Sequence, residues 1–202
     1  MLFALITFCL VATVTPGPNN MMLLSSGATF GLRRTIPHIF GISTGCVIMV
    51  FVVGWGIGGI ARDLPRFYLA LQIAASAYLL WLAWRIARST GPDRTDPAAR
   101  PLGFLGAAAF QWVNPKAWAM VVGAVATFAR PDRILSDIVL IATVLFVVGI
   151  PAITLWALGG SMLQRVLRRP VLLRAFNWTM AGLLVLSLVP GWLDVLGNTQ
   201  RS

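Results

Sequence analysis

Long apolar stretches alternate with short polar connectors along the whole chain. Each stretch holds about 20 or more mainly apolar residues, the length that an α-helix needs to cross a bilayer. Six such stretches are present, near residues 2–26, 36–60, 67–87, 103–128, 134–158 and 172–193. Since little sequence lies between them, the pattern predicts an all-α integral membrane protein with six transmembrane helices.

Two of the six stretches are interrupted by proline and amide residues. The run TPGPNN breaks the first at residues 15–20, and Asn114, Pro115 and Lys116 break the fourth. Proline lacks an amide proton and clashes with the preceding turn, so nearby carbonyls lose their helical partners. In a membrane, protein or a water-lined cavity must satisfy those carbonyls. Both breaks therefore predict a binding element, the alternative being kinks that serve packing alone.

Composition and charge agree with a membrane protein. With 58% hydrophobic residues, 11% charged residues and a mean hydropathy of +0.83, the chain is too apolar for a soluble domain. The net charge of +10 comes from arginines scattered in connectors, which does not predict nucleic-acid binding. Apart from Lys116, ten of the fifteen basic residues fall on one side. The positive-inside rule then makes the first, third and fifth connectors cytoplasmic and places both termini outside.

The two interruptions fall at matching places in the two halves of the chain. Three spans per half give the halves opposite orientations, so a duplication predicts a 3+3 inverted repeat with broken helices 1 and 4. The repeat halves are about 1–90 and 101–202 of one transmembrane domain, joined by a polar linker at about 91–100. Corresponding broken helices indicate a site on the pseudo-two-fold axis.

Lys116 is the most costly residue of the chain in a membrane. A cation near the bilayer centre costs at least about 2.5 to 3.5 kcal/mol, so the side chain is expected to face the interior. There it could neutralise a substrate carboxylate, or bind and release a proton. The alternative is a lysine that extends toward the interface.

The amide side chains near the breaks suit a zwitterion, because each offers donors and an acceptor. For Asn177 an interhelical hydrogen bond without ligand contact is an equal alternative. Gln111 lies one turn before Pro115, so its carbonyl is expected to be free. The predicted substrate-binding residues are Pro16, Gly17, Pro18, Asn19, Asn20, Gln111, Asn114, Pro115, Lys116 and Asn177.

The missing residue types narrow the chemistry. The chain has no glutamate, and its six aspartates lie in or near connectors, with Asp137 reaching furthest into a span. A carboxylate proton relay is therefore not expected. The only histidine, His38, follows Arg33 and Arg34 and is expected to be solvated at the interface. No cluster of acids, thiols or catalytic motifs predicts a metal site, a cofactor or an enzyme.

Several motifs resemble the LysE/RhtB family of amino-acid exporters over nearly the whole chain. They are TPGPNNMMLLSSGATFG, GISTG, AYLLWLAWRIARS and FQWVNPKAW. Within the family, SSGATFGLRR and WALGGSMLQRVLRR make the chain most similar to the branch that exports cysteine and O-acetylserine. The resemblance implies efflux of small amino acids across the bacterial inner membrane. Pro37 and His38 depart from the small or polar residues expected there.

Two hypotheses follow from the sequence. The first is a secondary transporter that exports a small neutral amino acid, or a derivative of the cysteine, O-acetylserine, homoserine or threonine kind, by alternating access around the breaks. The second is a membrane scaffold or assembly factor without transport activity, in which the breaks serve packing. The expected partners are an amino-acid substrate and membrane lipid, without nucleic acid. The coupling ion and a homo-oligomer are left open.

Overall fold

A computed structural model describes residues 1–57, 101–163 and 169–186, together with positions 73, 76, 77, 79–81, 83, 84, 87, 88, 188, 189 and 193. Every regular element in the three continuous ranges is a helix. The predicted linker at about 91–100 and most of the third apolar stretch lie outside the described residues.

The first apolar stretch forms two helices with a break between them. Helix α1 spans Leu2–Val14 and α2 spans Pro18–Phe30, and the two are bent by 57°. Pro18 occupies the first turn of α2, where the missing N–H would have had no helical partner anyway. The break predicted from TPGPNN is confirmed.

The second stretch forms a nearly continuous helix. Helix α3 spans Leu32–Val52 and leads directly into a π-helical turn at Val53–Ile57. Gly56 in this turn has a φ of 98°, a backbone conformation that glycine adopts at little cost. The 25 residues Leu32–Gly56 are long and apolar enough to cross a membrane.

The fourth stretch is broken, as the sequence predicts. Helix α4 spans Phe104–Phe110, a 3₁₀ turn follows at Gln111–Val113, and α5 spans Pro115–Phe128. Asn114 separates the two parts with an extended backbone.

The remaining described helices follow a second 3₁₀ turn at Pro131–Arg133. Helix α6 spans Ile134–Leu163 and is long and apolar enough to cross a membrane. Helix α7 spans Pro170–Leu186. Within the described ranges, two helices are long enough to span, or three if α1 and α2 count as one bent span. The number of six spans and the inverted repeat as a whole stay predictions.

Helix α6 packs against α1, α2 and α3 and so occupies the centre of the described bundle. It meets α2 at very short range. A side chain at Gly27 would collide with the carbonyl of Ala157, and one at Gly160 would collide with the carbonyl of Leu24. The backbones of α2 and α6 therefore touch, and α2 has little freedom to shift alone.

Glycines also bring α3 against α4. A side chain at Gly41 would meet the carbonyl of Phe104, and one at Gly45 would meet the Cα of Ala108 at 2.9 Å. The spacing of these two glycines predicts such a contact between helices, because small residues four apart share one face. Their packing places the middle of α3 directly beside the second break.

The expectation that His38 is solvated at the interface is wrong. His38 is only 1% exposed, although its position after two arginines predicts a solvated ring. The Nδ1 atom lies 3.4 Å from the hydroxyl of Ser26, on α2. Arg34 is exposed one turn earlier. Thr35, His38 and Ile39 are all buried, so His38 lies on the face of α3 that packs into the bundle.

Asp137, the acid that reaches furthest into a span, is held in an ion pair. Its carboxylate accepts hydrogen bonds from Arg130 through Nε at 2.9 Å, Nη2 at 3.0 Å and the backbone amide at 3.1 Å. The side-chain hydrogen bond to Asp137 raises the pKa of Arg130 above its usual value. The pair closes the turn between α5 and α6.

Candidate functional site at two helix breaks

Side chains satisfy the carbonyls that the first break releases. The amide of Asn20 donates to the carbonyls of Thr13 and Thr15, both at 2.8 Å. The indole of Trp156, on α6, donates to the carbonyl of Val14 at 3.2 Å. The end of α1 therefore carries carbonyls that side chains satisfy, as the proline chemistry predicts.

Lys116 crosses from the second break to the first. Its ammonium donates to the carbonyl of Thr15 at 2.6 Å, to the hydroxyl of Thr15 at 2.9 Å and to the carbonyl of Pro16 at 3.2 Å. A cation is favourable at this place because the C-terminal end of a helix carries partial negative charge. In this conformation all three ammonium donors are engaged by the first break.

Gly17 makes room for the lysine. A Cβ at this position would lie 2.7 Å from Cδ and 3.0 Å from Nζ of Lys116. The backbone there is extended, with a φ of −178°, which any residue can adopt. Glycine therefore leaves room for the close approach of Lys116 and is not needed for the backbone conformation.

Asn19 and Gln111 form a second link, in the opposite direction. The Asn19 amide donates to Gln111 Oε1 at 2.8 Å, and the Gln111 amide donates to Asn19 Oδ1 at 3.1 Å. Gln111 also donates to the carbonyl of Ala107 at 2.9 Å and is fully buried. Both amide groups are thereby fixed in orientation.

The two links start from corresponding positions. Asn19 follows Pro18 at the start of α2, and Lys116 follows Pro115 at the start of α5. Each of the two side chains reaches across to the opposite break. This correspondence is what an inverted repeat predicts for the breaks themselves.

The two helix starts differ in their caps. Asn114 precedes α5, and its Oδ1 accepts a hydrogen bond from the backbone amide of Lys116 at 3.1 Å. Gly17 precedes α2 and has no side chain with which to cap the helix. The first amides of α2 are therefore the better place for an anionic group of a ligand.

A cavity of about 50 Å³ lies between the breaks. Five of the predicted site residues line it, namely Gly17, Asn19, Asn20, Asn114 and Lys116. The rest of its wall is mostly apolar and comes from α1, α3, α5 and α6: Ala12, Thr13, Ile42, Ser43, Cys46, Ala117, Met120, Leu145, Gly149 and Ile153. Ser43 and Cys46 are polar members of this wall that sequence reasoning missed. The run GISTG, which holds Ser43, was available as a signal.

The other predicted residues have different places. Pro16, Pro18 and Pro115 shape the breaks without lining the cavity, and Gln111 lies behind Asn19. Asn177, on α7, is 2% exposed and is not among the described residues that line the cavity. The structure therefore brings nine of the ten predicted residues together around the two breaks and leaves Asn177 apart.

Apolar helices long enough to cross a membrane, joined around two polar helix breaks, define a multi-pass membrane protein with an internal cavity. The sequence profile described as LysE type translocator matches residues 10–188. The chain belongs to this family, as the resemblance predicts.

Relatives with a functional name cover almost the whole chain. The cysteine/O-acetylserine efflux protein of Klebsiella pneumoniae subsp. pneumoniae is 34% identical over 186 residues, which are 92% of this chain and 93% of the relative. The protein of that name from Escherichia coli strain K12 is 35% identical over 187 residues, 92% of this chain and 94% of the relative. No solved structure matches the chain.

Proposed function

We propose that this protein exports a small neutral amino acid or derivative, such as cysteine or O-acetylserine, from the bacterial cytoplasm. The observation that carries the proposal is the cavity lined by both helix breaks, with Lys116, Asn19, Asn20 and Asn114 on its wall. The names of the relatives, which cover 92% of the chain, support the same substrate class.

An exchange of partners explains how a zwitterion could bind. In the described conformation the Lys116 ammonium is paired with the oxygens of Thr15 and Pro16. A substrate carboxylate can take over this ammonium and the free amides at the start of α2. The substrate ammonium can then take over the carbonyls that Lys116 releases. One contact within the protein, between the Lys116 ammonium and backbone carbonyls, is thus replaced by two contacts with the substrate. The substrate carboxylate binds the ammonium, and the substrate ammonium binds the carbonyls.

The wall of the cavity favours a neutral substrate side chain. None of the described residues that line it is acidic, so a second positive charge on the substrate would have no partner there. Burying an unpaired charge is expensive. Small apolar and weakly polar groups match the wall formed by Ala117, Met120, Ser43 and Cys46.

The transport cycle we propose is alternating access around the two breaks. The close packing of α2 on α6 favours motion of these helices as one unit rather than motion of α2 alone. The protein would lie in the bacterial inner membrane with both termini outside, since the basic connectors favour that orientation.

Counterflow in proteoliposomes tests the proposal. Vesicles loaded with unlabelled cysteine under reducing conditions should take up labelled cysteine, and unlabelled O-acetylserine should compete. Lysine should not compete. Protein-free vesicles are the control. Vesicles that hold well-folded protein and show no exchange with any neutral amino acid would contradict the proposal.

One observation favours the scaffold alternative. All three donors of Lys116 are satisfied within the protein, as expected for a residue that only fixes the fold. The same counterflow experiment separates the two functions, because a scaffold gives no substrate exchange.

A further inference from the structure

His38 is a buried titratable group that the proposed substrate site does not use. The ring is 1% exposed, and its Nδ1 lies 3.4 Å from Ser26 Oγ. The Nε2 atom is buried and has no hydrogen-bond partner among the described residues. Buried polar atoms are usually hydrogen-bonded, so an unpaired Nε2 calls for an explanation.

Because Nδ1 contacts Ser26, Nε2 is the ring atom that is left available. If Nδ1 carries the hydrogen and donates to the serine hydroxyl, Nε2 is left as an acceptor with a free lone pair. That atom can bind one proton, and the ring then becomes an imidazolium.

The position of the ring relative to the cavity is also informative. His38 lies one helical turn before Ile42 on α3, and Ile42, Ser43 and Cys46 line the cavity. Residues four apart on a helix are neighbours on the same face. The ring therefore lies between the cavity and the end of α3 that carries Arg33 and Arg34.

Few charges oppose or attract a proton at this place. Helix α3 packs against α2, α4, α5 and α6, and α2 and α4 carry no charged residue. The charged residue of α5 is Lys116, which is paired with the first break. The charged residue of α6 is Asp137, which is paired with Arg130. On α3 itself, Arg33 and Arg34 are exposed to the outside of the bundle. No described carboxylate neutralises the ring.

We propose that His38 is the proton-binding site that couples export to the proton gradient. The inference rests on the proposed function. In each cycle Nε2 takes up one proton from the outer side, and the imidazolium releases it to the cytoplasm, while one substrate molecule leaves. The ring returns to the neutral form, so atoms and charge balance over the cycle. Ser26 is the positioning residue, which holds the ring tautomer.

Net transport and exchange separate this proposal from the function itself. With one proton per substrate and the membrane potential held at zero, a vesicle lumen one pH unit more acidic than the outside should accumulate labelled cysteine about tenfold. His38→Gln should abolish this accumulation and retain counterflow, because exchange needs no proton release. Thr35→Val, a buried position one turn earlier on α3, should retain both.

Each outcome decides between the two claims. Absence of counterflow by the wild-type protein would refute the proposed function. Wild-type counterflow without accumulation driven by the pH difference would refute proton coupling, and His38→Gln with unchanged accumulation would refute the role of His38.

A spectroscopic measurement covers the case in which His38→Gln fails to fold. His38 is the only histidine, so NMR of ring-labelled, tag-free wild-type protein reports this ring alone. The midpoint of the ring's titration should change when O-acetylserine is added. A ring with the same midpoint, or with no titration, in both conditions would overturn the proposal.

Discussion

Lys116 donates a 2.6 Å hydrogen bond to the carbonyl of Thr15, a residue 101 positions earlier in the chain. This contact joins the two helix breaks directly. It also places the ammonium on the wall of the cavity, beside the carbonyls that the first break releases. The proposed transport function depends on the ability of this ammonium to exchange its partners.

Removing the ammonium should therefore impair substrate binding. Lys116→Met retains the bulk and loses the charge-assisted hydrogen bonds, which contribute about 1.5 to 3 kcal/mol. We expect the substrate affinity to fall about 10- to 150-fold, measured by competition in counterflow. Lys116→Arg should be partly active, because a planar guanidinium cannot reproduce the geometry of an ammonium. Wild-type exchange by Lys116→Met would assign the lysine to packing.

The space beside Gly17 gives an independent test of the same contact. Gly17→Ala should displace Lys116, because the new methyl group would lie 2.7 Å from its Cδ. We expect a strong loss of counterflow activity. Gly123→Ala, on α5, is the matched control, since its added methyl group meets its nearest neighbour, Phe8, at an ordinary 3.6 Å.

The effects of Gly17→Ala and Lys116→Ala on counterflow should not be additive. In a Lys116→Ala background, Gly17→Ala should have little further effect, because the side chain that it displaces is gone. Independent losses in the double variant would show that Gly17 acts through something other than Lys116.

The ion pair at the turn between α5 and α6 should serve stability and not proton coupling. Asp137→Asn removes a carboxylate that accepts three hydrogen bonds from Arg130. The thermal unfolding temperature in detergent should decrease, while accumulation of cysteine driven by a pH difference is retained. A stable Asp137→Asn protein that exchanges substrate but has lost this accumulation would assign coupling to Asp137.

The orientation in the membrane can be measured with reporters. A reporter fused before Met1 should be active only outside the cytoplasm, and one inserted within residues 92–100 should be active only inside, because of the distribution of arginines. A cytoplasmic N-terminus would overturn the predicted orientation and require a different number of spans.

The helix breaks could be predicted from the sequence because proline chemistry is local. The missing amide protons of Pro16, Pro18 and Pro115 determine where a helix can end, wherever the rest of the chain lies. The cost of a buried cation likewise predicted that Lys116 faces the interior. These two arguments were sufficient to identify most of the residues around the cavity.

The partners across the breaks could not be predicted in this way. The pairs Lys116 with Thr15 and Asn19 with Gln111 join residues about a hundred positions apart, and only the packing of α1 to α6 brings them together. The burial of His38 was missed because exposed arginines lie one turn before it. Which face of α3 packs into the bundle is determined by contacts with other helices.

The most direct test of the account is whether substrate occupies the cavity between the breaks. Cys46 lines the cavity, whereas the other cysteine, Cys9, does not. In a Cys9→Ser variant, O-acetylserine should slow modification of Cys46 by a small methanethiosulfonate, measured by mass spectrometry. In a Cys46→Ser variant, modification of Cys9 should not respond. An unchanged rate at Cys46, at O-acetylserine concentrations that saturate counterflow, would contradict a substrate site at the two breaks.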